Sequence, residues 1–435
     1  MTTTDMKLQK RKNKLRAKKR LAATGICLGV IAGTGYAHAQ SDTNGVAIAQ
    51  LEQQNQALQQ QLNTLEDMAK KAGIMPSGGN ADPPVSALSN ISISGFVQAS
   101  YFYNTEHPAG GENAGYLWNT VNNSFSINKV KITIASPPAE RSGDKWDAGF
   151  RVSLMAGQDA PILDTDSGVA GLDYLREAYV DLNVPIGEGL NIKAGEMISL
   201  LNYESGDGGA ANENFSQGYQ WYYTGDGPEA GVQLDYQFTD WLDVKFRVEN
   251  GLYGGAIATE NRKGVMASIG LTPCKDFWID LNGFAGEGIY TEQANGGEVL
   301  AGYQVTPQLG TGFEGDYFYL SEDGGPAGNL WSVGGWIWYN FTSQVGLAFR
   351  ADYVNAPNGV GINESNPLAA PPIGGGIVSS DYAGSIGSLT LTLNYMPMPN
   401  IKIQPEIRYN YTTYSGGFAG KDNQFIIGCG ASYLF

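Results

Sequence analysis

Charged residues recur at every second position in several stretches of this sequence. Asp243, Lys245, Arg247 and Glu249 form one such run, Lys129 and Lys131 another, Arg350 and Asp352 a third, and Lys402, Gln404, Glu406 and Arg408 a fourth. In an extended chain successive side chains point to opposite faces, so this spacing gathers each set on one side. The intervening residues are mostly apolar: Val244, Phe246 and Val248 in the first run, Ile403 and Ile407 in the last. Such a row of ammonium, guanidinium and carboxylate groups does electrostatic rather than covalent chemistry. The groups either pair with one another or set the potential of a watery passage, discriminating among ions and small hydrophilic solutes. The same parity adds Arg151 and Lys193 to the basic set, and Glu177, Asp181 and Asp235 to the acidic set. For any single residue, simple pairing accounts for its position as well as solute selection does.

Enzymatic roles find little footing. The sequence has two histidines, His38 and His107, and His38 falls in a segment expected to be removed. One remaining histidine nearly excludes His-dependent triads and multi-His metal centres. Cys274 and Cys429, far apart in sequence, make no disulfide framework. Asp164 and Asp166 precede Gly168 in a pattern that can hold Ca²⁺, but the remaining EF-hand ligands are missing, so the stretch reads as an acidic loop. No catalytic residue and no cofactor is expected.

These side chains must be positioned by strands. From Ser89 onward the chain alternates apolar and polar residues with turn-forming clusters between. Strands are expected to begin near Ile91, Ser124, Trp146, Tyr174, Leu190, Glu229, Leu242, Lys263, Phe277, Glu298, Gly310, Leu330, Gln344, Gly387, Ile401 and Gln424. Tight turns fall near Pro185–Gly187, Thr239–Asp240, Pro273–Lys275, Thr306–Gln308, Thr342–Ser343 and Pro397–Pro399. Long Gly-, Asn- and Asp-rich segments, such as Glu106–Asn122, Asn202–Gly227 and Ala356–Ser380, lie between them. Short turns at one end and long loops at the other are the outer-membrane pattern. Aromatics at strand ends (Trp241, Phe277, Trp331, Tyr339, Phe341, Tyr395, Tyr433) fit interfacial girdles. The expected fold is all-β: a closed antiparallel transmembrane barrel of about sixteen strands, wide enough for an aqueous channel. Phe435 ends the last strand, which must pair with the first near Ile91–Tyr103 to remove both edges.

The N-terminal region has other work. Nine of the 27 Lys and Arg residues precede position 21, and the small-residue stretch Leu21–Tyr36 leads to Ala37-His38-Ala39. This is a secretory signal, residues 1–39. Its removal leaves 18 basic against 42 acidic residues, a balance that disfavours nucleic acid as a partner. In residues 40–72, Ile48, Leu51, Asn55, Leu58, Leu62, Leu65 and Ala69 keep alternating spacings of three and four. That heptad pattern predicts a short periplasmic coiled-coil helix. Residues 73–90, with Pro76, Gly78, Gly79, Pro83 and Pro84, read as a linker to a barrel over 91–435.

Three short stretches carry a resemblance. Ile93-Ser94-Gly95-Phe96, Asn202-Tyr203-Glu204 leading to Asn212-Glu213-Asn214-Phe215-Ser216, and Val248-Glu249-Asn250-Gly251 resemble the putative β-barrel porin-2 (OmpL-like) family. The resemblance implies a passive channel for small hydrophilic solutes or ions, set in outer-membrane lipid. Porins with helical N-terminal extensions are similar in layout and are commonly trimers, an analogy that suggests a homotrimer here. In general porins the third external loop narrows the channel. By strand count that loop is 202–227, and its Glu204, Asp207 and Glu213 are expected to face Lys129, Lys131 and Arg151 across an eyelet; an external lid has the same composition. The alternative function is a structural tether or adhesin whose coiled coil contacts the cell wall. A soluble β-sandwich shares the period of two.

Overall fold

The structure is a computed structural model. It describes residues 90–435 apart from 109–110, 112, 114–118, 164–171, 173, 226, 253, 259–262, 289–290, 322–326, 358–383, 414–417 and 419. The expected signal segment, the coiled coil, the linker up to residue 89 and the Asp164–Asp166 pair lie outside the described residues.

Sixteen strands form one closed antiparallel barrel in which each strand pairs with its sequence neighbours and the first with the last. They are β1 (Ser92–Asn104), β2 (Ser124–Ala135), β3 (Asp147–Ala156), β4 (Leu175–Val184), β5 (Leu190–Met197), β6 (Glu229–Thr239), β7 (Leu242–Glu249) and β8 (Gly264–Cys274). Then follow β9 (Phe277–Gly288), β10 (Thr291–Gln304), β11 (Leu309–Ser321), β12 (Ala327–Asn340), β13 (Val345–Ala356), β14 (Gly384–Met398), β15 (Ile401–Thr412) and β16 (Asn423–Leu434). Closure leaves no edge, the condition for a sheet to cross lipid, where unpaired backbone groups cost several kcal/mol each. At the seam Phe96 pairs with Leu434. Gly95 and Phe435 exchange both backbone hydrogen bonds, at 2.9 and 3.0 Å. A side chain at Gly95 would overlap the Lys131 carbonyl and press on the Phe435 ring, so the terminal aromatic sits where only glycine leaves room.

Alternation decides which face points where. In β15, Lys402, Gln404, Glu406, Arg408 and Asn410 are buried on the inner face, while Ile407 and Tyr409 are exposed on the outer. Phe125, Ile127, Leu154, Val180, Val232 and Phe246 continue the exposed apolar surface around the barrel. An apolar belt of that extent needs lipid rather than water. Exposed Trp241, Tyr303, Tyr339, Phe341, Tyr395 and Tyr433 ring the short-turn end.

Fifteen strands begin within three residues of the expected positions. The exception is β10, which starts at Thr291 rather than near Glu298. Its first residues, Gln293 to Gly297, lack apolar alternation, yet they pair continuously with Ser321 to Tyr317 of β11. Backbone pairing extends the strand where side chains give no pattern. The six expected tight turns all occur. The β2–β3 connection, residues 136–146, is the long one at that end.

The interior is filled at the long-loop end. After β5 the chain turns inward through a 3₁₀ turn (Gly208–Ala210) and a short helix, α1 being Ala160–Leu163 in the preceding loop and α2 Tyr219–Tyr223. Tyr219, Tyr222 and Tyr223 pack with Phe318, Leu320, Leu330, Val354 and Ile386 in a buried apolar cluster on the inner face.

Candidate pore and its inward-folded loop

The segment between β5 and β6 lies inside the barrel because the wall supplies acceptors for its backbone. Asn202, in the left-handed region with φ +75°, donates its N–H to Glu298 Oε1 at 2.6 Å. The Tyr203 N–H goes to Glu314 Oε2 at 2.8 Å, the Phe215 N–H to Glu406 Oε2 at 2.8 Å and the Tyr219 N–H to Asp352 Oδ2 at 2.7 Å. Aromatic rings fill spaces kept open by glycines. The Tyr203 ring stacks on Trp336 at 4.5 Å and Trp278 at 6.0 Å, and lies where a side chain at Gly312 would be. Phe215 stacks on Phe102 at 5.4 Å and occupies the space beside Gly430. The wall hydrogen bonds of residues 203–218 go to β2 and to β11–β15.

All sixteen charged side chains singled out by parity lie on strands with the apolar face turned outward, and they divide into two groups. Six grip the loop. Arg350 Nη1 donates to Glu204 Oε1 at 2.7 Å and to the Ser216 carbonyl; its Nε lies 3.3 Å from Asp352. Arg408 donates to the Gln217 carbonyl at 2.6 Å and lies 4.8 Å from the centre of the Tyr219 ring. Lys402 donates to the Asn212 carbonyl at 2.6 Å, and Lys131 binds Asp207 at 2.8 Å. Glu406 and Asp352 accept loop N–H groups. The other ten meet strand, turn or α1-loop partners, and Arg247 also donates to the Ile198 carbonyl, where the loop leaves β5, at 2.8 Å. Arg151 pairs with Glu177 at 2.9 Å, Lys245 with Asp243 at 2.9 Å, Arg247 with Glu249 at 3.6 Å and Lys129 with Asp159 at 3.6 Å. Lys193 stands 5.4 Å from the Tyr179 ring and opposite Asp181 in register; Asp235 pairs with Arg141 at 2.6 Å.

The loop carboxylates are placed differently from the expected eyelet. Only Asp207 meets the basic set of the early strands, in direct contact with Lys131 rather than across a gap. Glu204 goes to the other wall, between Arg350 and the Trp336 indole N–H at 3.1 Å. The Glu213 carboxylate lies 3.4 Å from Asn394, beside a cavity that Lys402 also lines. Off the strands, burial raises the Asp159 carboxyl above the usual range against the pull of Lys129, and burial raises the Tyr203 phenol above its ordinary value.

Sequence reading missed Glu298, Glu314 and Asp316. Their spacing of two across Glu314 and Asp316 carried the signal, but β10 was expected to begin at Glu298. Among the described residues, these three buried carboxylates form the group close enough to hold a cation, with ligand oxygens within 4.8 Å. Neutral donors already fill much of that role: Asn202 and Tyr203 N–H, the Asn282 amide at 2.7 Å, Gln220 at 2.7 Å and Thr224 at 2.9 Å. The arrangement anchors both ends of the loop. Arg141, Trp278 and Trp336 were also missed.

A closed barrel with an apolar exterior, a charged interior and a loop folded into it defines an outer-membrane channel of the porin class. The chain belongs to the putative beta-barrel porin-2, OmpL-like family, whose profile matches residues 90–435. No curated protein matches it in sequence. Among solved structures, the outer membrane channel DcaP of Acinetobacter baumannii is similar in fold, with TM-score 0.51, 12% identity, and coverage of 79% of this chain and 97% of that one. The anion-selective porin from Comamonas acidovorans gives TM-score 0.51, 11% identity, and coverage of 79% and 99%. OmpT of Vibrio cholerae in its trimer form gives 0.52, 12%, 79% and 99%. At these identities the likeness is one of fold. The protein is thus an outer-membrane porin, a passive channel for small solutes.

Proposed function

We propose that residues 201–224 form the constriction of this channel, and that solutes pass along the wall of β3–β9, to which residues 203–218 make no hydrogen bond. The observation that carries this reading is the double clasp of the loop: Glu204 on Arg350 of β13 and Asp207 on Lys131 of β2. Two ion pairs on separate parts of the wall hold the segment across part of the lumen. Small hydrophilic solutes or ions are the cargo, and the side chains facing them include Arg151, Lys193, Lys245 and Asp243. In this reading the short-turn end faces the periplasm, where residues 40–72 form the coiled coil after cleavage of 1–39. A homotrimer follows from the trimeric precedent and the heptad run, and cell-wall contact is a further role for the coiled coil. Planar-bilayer recordings of the purified protein in several salts test the reading. It expects stable ohmic steps in the wild type and a larger step when residues 204–216 are replaced by a short Gly/Ser linker. Equal steps would remove the loop from the conduction path.

A further inference from the structure

We propose that the β2–β3 turn is a second filter in series with the inward-folded loop, and that Arg141 gives it a preference for small anions. This rests on the reading that solutes pass along the β3–β9 wall. The turn spans residues 136–146, whereas the other short-end connections have two to five residues. It folds back over the mouth instead of projecting. The Ala139 N–H donates to Asp181 Oδ2 at 3.1 Å and the Ser142 N–H to Asn183 Oδ1 at 3.2 Å. The Asn183 amide donates to the Ser142 and Lys145 carbonyls at 2.9 and 2.8 Å. Arg141 reaches furthest, to Asp235 on β6, at 2.6 Å. Asp181, Asn183 and Asp235 all occupy the inner face, so the turn crosses β4 and β5 on the lumen side.

Its close approach is built into the backbone. Gly189 has φ +109°, and a side chain there would collide with the Ser142 N–H. Pro137 and Pro138 restrict the chain as it leaves β2. Beneath the turn lies a cavity of about 330 Å³ lined by Pro137, Pro138, Arg151, Tyr179, Asp181 and Lys193. The turn therefore narrows the lumen at the short-turn end, along the β4–β6 side of the wall.

The sign of the filter follows from the two arginine pairs on this stretch, Arg141–Asp235 and Arg151–Glu177. Arg141 is 33% exposed and its partner Asp235 5%; Arg151 is 37% exposed and Glu177 8%. The carboxylates sit behind, and the guanidinium groups meet the solute. Arg350, by contrast, is wholly buried and can only hold structure. At these two pairs a solute meets cations held in place by hidden anions, which favours small anions of the carboxylate or inorganic phosphate type.

Reversal potentials in a salt gradient, with chloride as the probe anion, test the proposal on the full-length protein. Arg141→Gln should lower the chloride-to-potassium permeability ratio by about two- to threefold, the effect of one unit charge lining a wet passage. Arg141→Lys should keep the ratio near wild type. Replacing residues 138–144 with Asn-Gly should raise single-channel conductance. Heat-modifiable migration identifies variants that have folded. Unchanged permeability ratio in folded Arg141→Gln, or unchanged conductance in the folded short-turn variant, overturns the proposal while leaving the pore intact. A wild type that passes no ions would instead fail the reading on which it rests.

Discussion

The guanidinium of Arg350 and the carboxylate of Glu204 meet at 2.7 Å, and both side chains are almost wholly hidden from water. Arg350 is also held by Asp352 and Thr390 from its own sheet, so it is already fixed before the loop arrives. Glu204 comes from the loop: besides the Gly218 N–H of its own segment, its partners Arg350 and the Trp336 indole both belong to the wall. The pair therefore works as a prepared socket and an arriving plug. This difference matters for how the two residues respond to substitution.

Glu204→Gln removes the plug's charge while keeping its shape. Breaking one side of a buried pair costs about 3–5 kcal/mol when nothing compensates. Here Asp352 remains beside Arg350, so the cost should fall at the low end and be confined to loop docking. The expected result is a barrel that still shows heat-modifiable migration but gives noisy, larger single-channel currents. Arg350→Gln should be worse, because it also unpairs Asp352. A double-mutant cycle checks the coupling; strict additivity of the two effects on loop opening would refute the socket account.

Asp207 and Lys131 differ from that pair in exposure. Asp207 is 20% exposed and Lys131 5%, so the carboxylate is the half that meets the lumen. Asp207→Asn should leave the loop docked, through Glu204, and uncover the Lys131 ammonium. The permeability ratio should then move toward anions by about two- to threefold, again one unit charge in a wet passage. Reversal potentials measure it, and a shift toward cations would contradict the placement.

How much of this was legible in the sequence differs between wall and loop. Parity placed Lys402, Glu406 and Arg408 on one face because a barrel wall enforces a period of two along every strand. The same rule failed at Gln293–Gly297, where the residues are small or polar and only hydrogen bonding to β11 holds the strand. For the loop, composition marked Glu204, Asp207 and Glu213 as a set but could not assign their partners. Glu204 and Arg350 are 146 residues apart, and their meeting depends on closure of the barrel. Arg141 was not singled out in the sequence, because nothing local distinguishes a connection that folds inward from one that points into solvent.

Gly430 and Phe215 offer a test of loop position that changes no charge. The Phe215 ring lies against the Cα of Gly430 on β16, in the space a side chain would take, and also stacks on Phe102 at 5.4 Å. Gly430→Ala should therefore push the ring, and the 3₁₀ turn beside it, away from the wall. Overpacking of this kind costs about 1–3 kcal/mol. The strand itself should tolerate alanine, since residue 430 is in extended pairing with Ser100 and Gln404. Gly430→Ala alone should alter single-channel conductance. Phe215→Ala alone should loosen the loop by emptying the same space, and so raise current noise. Combining the two should recover much of the wild-type current, because the new methyl group enters the volume the ring has left. If the double variant behaves as the sum of its parts, Phe215 is not what holds this part of the loop to the wall.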